Sequence, residues 1–189
     1  MALTPSTMLP LGTPAPSFEL PDTVSGKTLR LCDLARKKAL VVIFTCNHCP
    51  YVKHIQEGLV SFGADYAEKD VAIVAISAND PAVNPDDRPE RLGSEAKRLG
   101  YRFPVLYDES QEVARAYQAA CTPDFVVFDA ERRLVYRGQF DAARPGTAVP
   151  VTGADLRSAV EAVLAGKPVS PKQSASLGCN IKWRAGNEP

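Results

Sequence analysis

Six consecutive apolar residues, Ala39-Leu40-Val41-Val42-Ile43-Phe44, stop just short of a close pair of cysteines, and a helical pattern begins immediately beyond the pair. This succession constrains the chain more than any other segment. The run lacks the alternation of a strand with one wet face, so both of its faces must be covered, as in the middle of a sheet. Past the cysteines, Val52, Ile55, Leu59, Phe62 and Tyr66 recur at spacings of three and four, which describes one buried face of an amphipathic helix. Cys46 and Cys49 therefore lie where a buried strand hands over to a helix N-terminus.

Unpaired backbone N–H groups and the positive end of the helix dipole favour an anion there. Such settings lower a thiol from about 8.5 to about 3.5–7.5, so Cys46 is expected to ionise readily and attack a disulfide. Cys49, expected one turn further in, would then attack the mixed disulfide on Cys46, release the reduced substrate and close a Cys46–Cys49 bond. The cycle needs no cofactor. His48, between the two, would stabilise the thiolate and make the couple more oxidising, each tenfold being worth about 30 mV; the plainer alternative is a solvent-facing loop residue. Pro50 suits the first helical turn.

The same spacing is half of many zinc sites, which want a second pair of ligands. Here the remaining cysteines, Cys32, Cys121 and Cys179, are singletons, and the other histidine, His54, would stand about two helical turns from Cys46, roughly 12 Å at 1.5 Å per residue. No metal is expected.

Further along, residues 70–77 read as a second buried strand, 88–100 as a charged helix ended by glycine, and 110–119 as a short helix capped by Ser110. Residues 124–129 and 133–137 form a β-hairpin across 130–132, and a helix over 154–165 is closed by Gly166. The fold class is α/β, a mixed central sheet flanked by helices.

The cysteine pair opening a helix, together with Thr122-Pro123 ahead of the hairpin, resembles the thioredoxin fold and its cis-proline. The resemblance implies that Pro123 is cis, that its loop packs beside the cysteines, and that Thr122 and Pro123 bind an extended substrate by strand addition. Residues 12–20 and 26–31 resemble the N-terminal hairpin of the peroxiredoxin and membrane-tethered thioredoxin branch. Cys46-Asn47-His48-Cys49-Pro50-Tyr51-Val52-Lys53, Arg144-Pro145-Gly146, Val151-Thr152-Gly153 and Leu177-Gly178-Cys179-Asn180-Ile181-Lys182-Trp183 resemble the peroxiredoxin-like group of redoxin-domain proteins. That group implies thiol-disulfide oxidoreductase chemistry.

The chain departs from both neighbouring families. Peroxiredoxins carry a threonine three residues before the reactive cysteine; here Ile43 precedes Cys46 and Cys46 precedes Cys49, with Thr45 as the nearest substitute hydroxyl. Thioredoxins place Trp before the pair and Gly-Pro inside it, where this chain has Thr45, Asn47 and His48, and their buried acid falls at Leu40. Asp80 could serve as proton acceptor, although a turn residue before Pro81 is its simpler role. Copper chaperones that join a cysteine pair to a distal histidine do not fit, because no histidine follows His54.

Among the other cysteines, Cys32 is expected half-buried in a turn and Cys121 in the core near the site, with a resolving role open to it. Cys179 lies past a linker in a tail whose Ile181 and Trp183 need a surface to bury against, and it would be a third thiol if the tail reaches the site. The expected organisation is one redoxin domain over residues 1–166 and a linker with tail over 167–189. With 22 basic and 22 acidic residues the charge balances, which offers nothing to nucleic acid or an anionic membrane. No cationic segment followed by an apolar stretch opens the chain, so a cytoplasmic enzyme is expected. Its partners would be a disulfide-containing protein or small-thiol substrate and a reductant the sequence does not identify. A thiol peroxidase using Cys46, and a redox-sensing or metal-binding module, are the alternatives. The Pro-rich loops 80–89 and 141–153 carry no evident chemistry.

Overall fold

In a computed structural model, residues 3–188 are described. The strands in chain order are Leu3–Pro5 (β1), Glu19–Pro21 (β2), Thr28–Arg30 (β3), Ala39–Phe44 (β4), Val71–Ser77 (β5), Val105–Tyr107 (β6), Cys121–Thr122 (β7), Asp124–Phe128 (β8), Leu134–Gly138 (β9) and Leu177–Asn180 (β10). The helices are Pro50–Tyr66 (α1), Pro89–Leu99 (α2), Glu112–Ala116 (α3) and Ala154–Leu164 (α4). A five-stranded mixed sheet in the order β6-β5-β4-β8-β9 forms the centre, with β5 parallel and β8 antiparallel to β4.

The unalternating sequence of β4 follows from this central place, where every residue is at most 1% exposed. Its odd-numbered side chains, Val41 and Ile43, join Ile73, Val127 and the inner faces of α1, α2 and α4. Leu40, Val42 and Phe44 point the other way, into a second cluster with Ile76, Val126, Val113, Tyr117 and Ile181. Each fully buried aliphatic side chain contributes about 1.5–3 kcal/mol, so β4 is anchored from both layers.

Among the described α-helices the second layer contains the short α3, and segments toward the two chain ends complete it. The antiparallel β2–β3 pair contributes Leu20 and Phe18, and the C-terminal segment contributes Ile181 and half-buried Trp183. The segment arrives through β10, which runs antiparallel between β1 and β7 in a small separate sheet. Thr122-Pro123, between β7 and β8, is cis, as the thioredoxin resemblance implies.

Behind this loop, Arg137 is 1% exposed and bonds Asp124 as well as the carbonyls of Tyr117 and Gln118, so the chain on both sides of β7 is tied to β9. The expected helix over 110–119 is shorter, because Gln111 and Gln118 adopt positive φ at its two ends. No helix among the described residues is long and apolar enough to cross a membrane.

Candidate active site

α1 begins at Pro50, and Cys49 is its N-cap rather than a residue inside the first turn. Pro50 fixes this boundary: its ring is tolerated at the first helical position and it disfavours a helical residue before it. Cys46 sits three residues earlier in the loop leaving β4. Both are buried, at 2% and 0% exposure, and with Val52 and Cys179 they make a separate cluster between α1 and β10.

Thr122 holds the pair from the opposite side. Its Oγ1 lies 3.2 Å from Cys46 Sγ and its carbonyl oxygen 3.2 Å from Cys49 Sγ. The sequence puts Thr45 next to Cys46 as a possible orienting hydroxyl, yet the hydroxyl actually at the sulphur is that of Thr122. Cys179 is brought in by β10, where it is the register partner of Thr122, and its Sγ is 2.9 Å from that of Cys49. Cys49 thus packs in one cluster with both other sulphurs, in hydrogen-bond contact with that of Cys179.

This packing reverses the expected ionisation. Burial pushes the Cys46 thiol well up, aided by its hydrogen bond to Cys49 and the charge of Asp87. Cys49 is pulled down to about 5, first by the bond from Cys46 and, against its own burial, by Cys179 and the amides of Val52 and Cys179. The hydrogen bond between the two thiols leads that order, and the amide of Val52 in the first turn of α1 adds to it as the helix N-terminus would. The two thiols are coupled, so that ionising one of them holds the proton on the other.

His48 is not solvent-facing; its side chain is 7% exposed and Nδ1 lies 2.5 Å from Oδ2 of fully buried Asp87. Asp87 also accepts from the Asn47 amide at 2.8 Å and from Asn79 Nδ2 at 2.9 Å. Burial alone would raise this carboxyl, but His48, Asn79 and the Asn47 amide outweigh it and hold it below the usual range. Asp87 is the site residue that sequence reading misses: it belongs to the loop 80–89 that shows no chemistry on its own. Asp80 merely caps a turn, accepting from the Ala82 amide. Nε2 of His48 is buried and lacks a partner.

Cys46, His48 and Asp87 offer three ligand atoms within 4.8 Å of one another. His48 and Asp87 already engage each other, and three donors fall short of a closed structural site with four. Cys121 lies outside the sulphur cluster; burial and then Asp124 raise its thiol. Cys32 is exposed rather than half-buried, because its short 3₁₀ turn buries none of its residues.

A buried dithiol at a helix N-terminus, in contact with a cis-proline loop at the end of a mixed sheet, defines a redoxin. The fold is thioredoxin-like: a thioredoxin-family thiol:disulfide interchange protein from Chlorobium tepidum TLS superposes with a TM-score of 0.62 at 21% identity, over 83% of this chain and 99% of that one. The AhpC/TSA family model matches residues 11–137, and the chain belongs to that family. An uncharacterized conserved protein from Geobacillus kaustophilus is 50% identical, with a TM-score of 0.96 over 98% of both chains. Thiol-disulfide oxidoreductase ResA of Geobacillus thermodenitrificans is 26% identical over 131 residues, 69% of this chain and 70% of that one. A Mycobacterium tuberculosis protein provisionally named a peroxiredoxin is 27% identical over 117 residues, 62% of this chain and 69% of that one.

Proposed function

We propose that this protein is a thiol-disulfide oxidoreductase in which Cys46 attacks and Cys49 resolves. The observation that carries the reading is the placement of both sulphurs at 3.2 Å from Thr122, Cys46 at its hydroxyl and Cys49 at its carbonyl. As Cys46 attacks a disulfide, Cys49 takes its proton; a bond forms from Cys46 to one substrate sulphur, and the other leaves as thiolate. That thiolate recovers the proton from Cys49. Cys49 then attacks the Cys46 sulphur, the mixed disulfide breaks, and the second substrate thiolate departs. The His48–Asp87 pair steadies the loop carrying Cys46, through the Asn47 amide as well as through the ring.

The substrate favoured by this site is a disulfide of a small thiol. In related folds an extended peptide adds to the edge beside the cis-proline, and β10 occupies that edge here. The setting we propose is the cytoplasm, because all five cysteines stand as free thiols, the clustered Cys46, Cys49 and Cys179 among them, which suits a reducing compartment, and subcellular fractionation tests it.

A second reading, reduction of a peroxide by Cys46, draws on the family and on the Thr122 hydroxyl at the sulphur. Consumption of oxidised glutathione, insulin disulfides and hydrogen peroxide, measured side by side for the parent, Cys46→Ser and Cys49→Ser, separates the two. Disulfide turnover requiring both cysteines supports the oxidoreductase. Peroxide turnover that survives Cys49→Ser, without disulfide turnover, replaces it with the peroxidase.

A further inference from the structure

We propose that Cys179 is the third member of a thiol relay, taking the disulfide from Cys46–Cys49 onto Cys49–Cys179 and returning Cys46 to the thiol state within one molecule. The inference rests on the oxidoreductase reading above and adds to it a step on the C-terminal strand.

Three observations support it. The first is distance: the Cys49 and Cys179 sulphurs are 2.9 Å apart, so closing to a bond of about 2.05 Å asks for under an ångström of movement. The second is how Cys179 is held. β10 is hydrogen-bonded between β1 and β7, in a register that sets Cys179 opposite Thr122, the residue whose oxygens contact Cys46 and Cys49. Gly178 packs its backbone directly on the Thr122 carbonyl, where no β-carbon fits, so the strand seats more closely than any side chain would allow. The third is burial: Cys46, Cys49 and Cys179 are each at most 2% exposed, and a thiol transfer among them proceeds with water excluded.

The chemistry balances without an added oxidant. The Cys46–Cys49 disulfide is the product of substrate reduction. Cys179, as thiolate, attacks the Cys49 sulphur; the Cys49–Cys179 bond forms, the Cys46–Cys49 bond breaks, and Cys46 leaves as thiolate and takes up the proton Cys179 gave up. Burial raises the Cys179 thiol to about 12, helped first by its hydrogen bond to Cys49 and then by the charge of Cys49, and opposed by Lys182. Once Cys49 is in a disulfide that charge is gone, so Cys179 ionises more easily at the stage where it must attack. The relay leaves Cys46 ready for a second substrate and places the disulfide between the N-cap of α1 and β10.

The test uses the full-length reduced protein, treated with one equivalent of oxidised glutathione, quenched in acid with a thiol-blocking reagent and mapped without reduction. Trypsin leaves Cys46 and Cys49 on one peptide, residues 39–53, and Cys179 on another, residues 173–182. The relay gives the two peptides cross-linked, with Cys46 blocked by the reagent as a thiol. Cys46→Ser gives the same cross-link directly from the Cys49 glutathione adduct, and Cys179→Ser loses it. The relay is overturned if the parent shows only the internally bridged peptide 39–53 and Cys46→Ser stops at the glutathione adduct, an outcome that leaves the oxidoreductase reading standing. Absence of any thiol consumption overturns both. Mapping the parent needs no variant to fold.

Discussion

Gly178 lies against the carbonyl oxygen of Thr122 so closely that a β-carbon added there would fall inside van der Waals contact with that oxygen and its carbon. The contact is backbone on backbone and joins the C-terminal strand to the cis-proline loop. Because the same carbonyl faces Cys49, seating of the strand and enclosure of the sulphurs are one event.

Gly178→Val is therefore expected to unseat β10 at a cost of about 1–3 kcal/mol, the usual penalty for overpacking, without unfolding the central sheet. Cys46 and Cys49 then become accessible. Iodoacetamide labelling of residues 39–53 should accelerate severalfold in the variant while far-ultraviolet circular dichroism stays unchanged. Unaltered labelling would mean that the tail does not guard the pair.

Thr122→Val removes the hydroxyl 3.2 Å from Cys46 but keeps the size of the side chain and the backbone carbonyl at Cys49. The hydroxyl is one of the few influences that lower the Cys46 thiol, against burial and the nearby Asp87 charge. Losing a hydrogen bond of about 0.5–1.5 kcal/mol should slow attack on a small disulfide by up to about tenfold at neutral pH, with the gap narrowing as pH rises. A pH profile of the second-order rate constant checks this. A uniform loss at all pH values would indicate a purely steric role.

Asp87→Asn puts an amide donor where His48 and Asn79 already direct theirs, and the variant should lose about 1–3 kcal/mol at neutral pH. The pH dependence has a definite sign. The Asp87 carboxyl is held below its ordinary value, so its contribution to stability is fully present above about pH 3.9 and is lost as pH falls through the lower folded value. Urea midpoints measured from neutral to strongly acid pH should converge for parent and variant at the acid end. Parallel curves would show that Asp87 is not ionised in the folded protein.

Much of this was legible in advance, and the exceptions share a cause. The buried β4, the helix face from Val52 to Tyr66 and the cis bond at Pro123 are readable because local pattern or a motif carries them. Asp87 is not, since nothing in a Pro-rich loop says that it closes over His48 from 39 positions away in the chain. Residues 177–180 have no alternation to mark a strand, and β10 owes its existence to two partners at distant places in the chain. The order of ionisation depends on contacts that no local pattern shows: Cys46 is raised first by its burial, and Cys49 is lowered first by the hydrogen bond from Cys46 and further by Cys179 from the distant β10.

That order is itself open to measurement. With Cys49 near 5 and Cys46 well above its usual value, the reduced protein should titrate one thiolate below neutral pH and hold a single charge on the pair until strongly alkaline conditions. For Cys49 the folded value lies below the unfolded one of about 8.5, so its stabilising contribution is complete above about 8.5 and lost as pH falls to about 5. Cys46 has the opposite sign, its contribution being complete below about 8.5 and lost as pH rises through the elevated folded value. Ultraviolet thiolate absorbance should therefore show a step near pH 5 in the parent that disappears in Cys49→Ser. If the acid step persists in Cys49→Ser and is lost in Cys46→Ser, the charge belongs to Cys46, and the proton transfer assigned to Cys49 runs in the opposite direction.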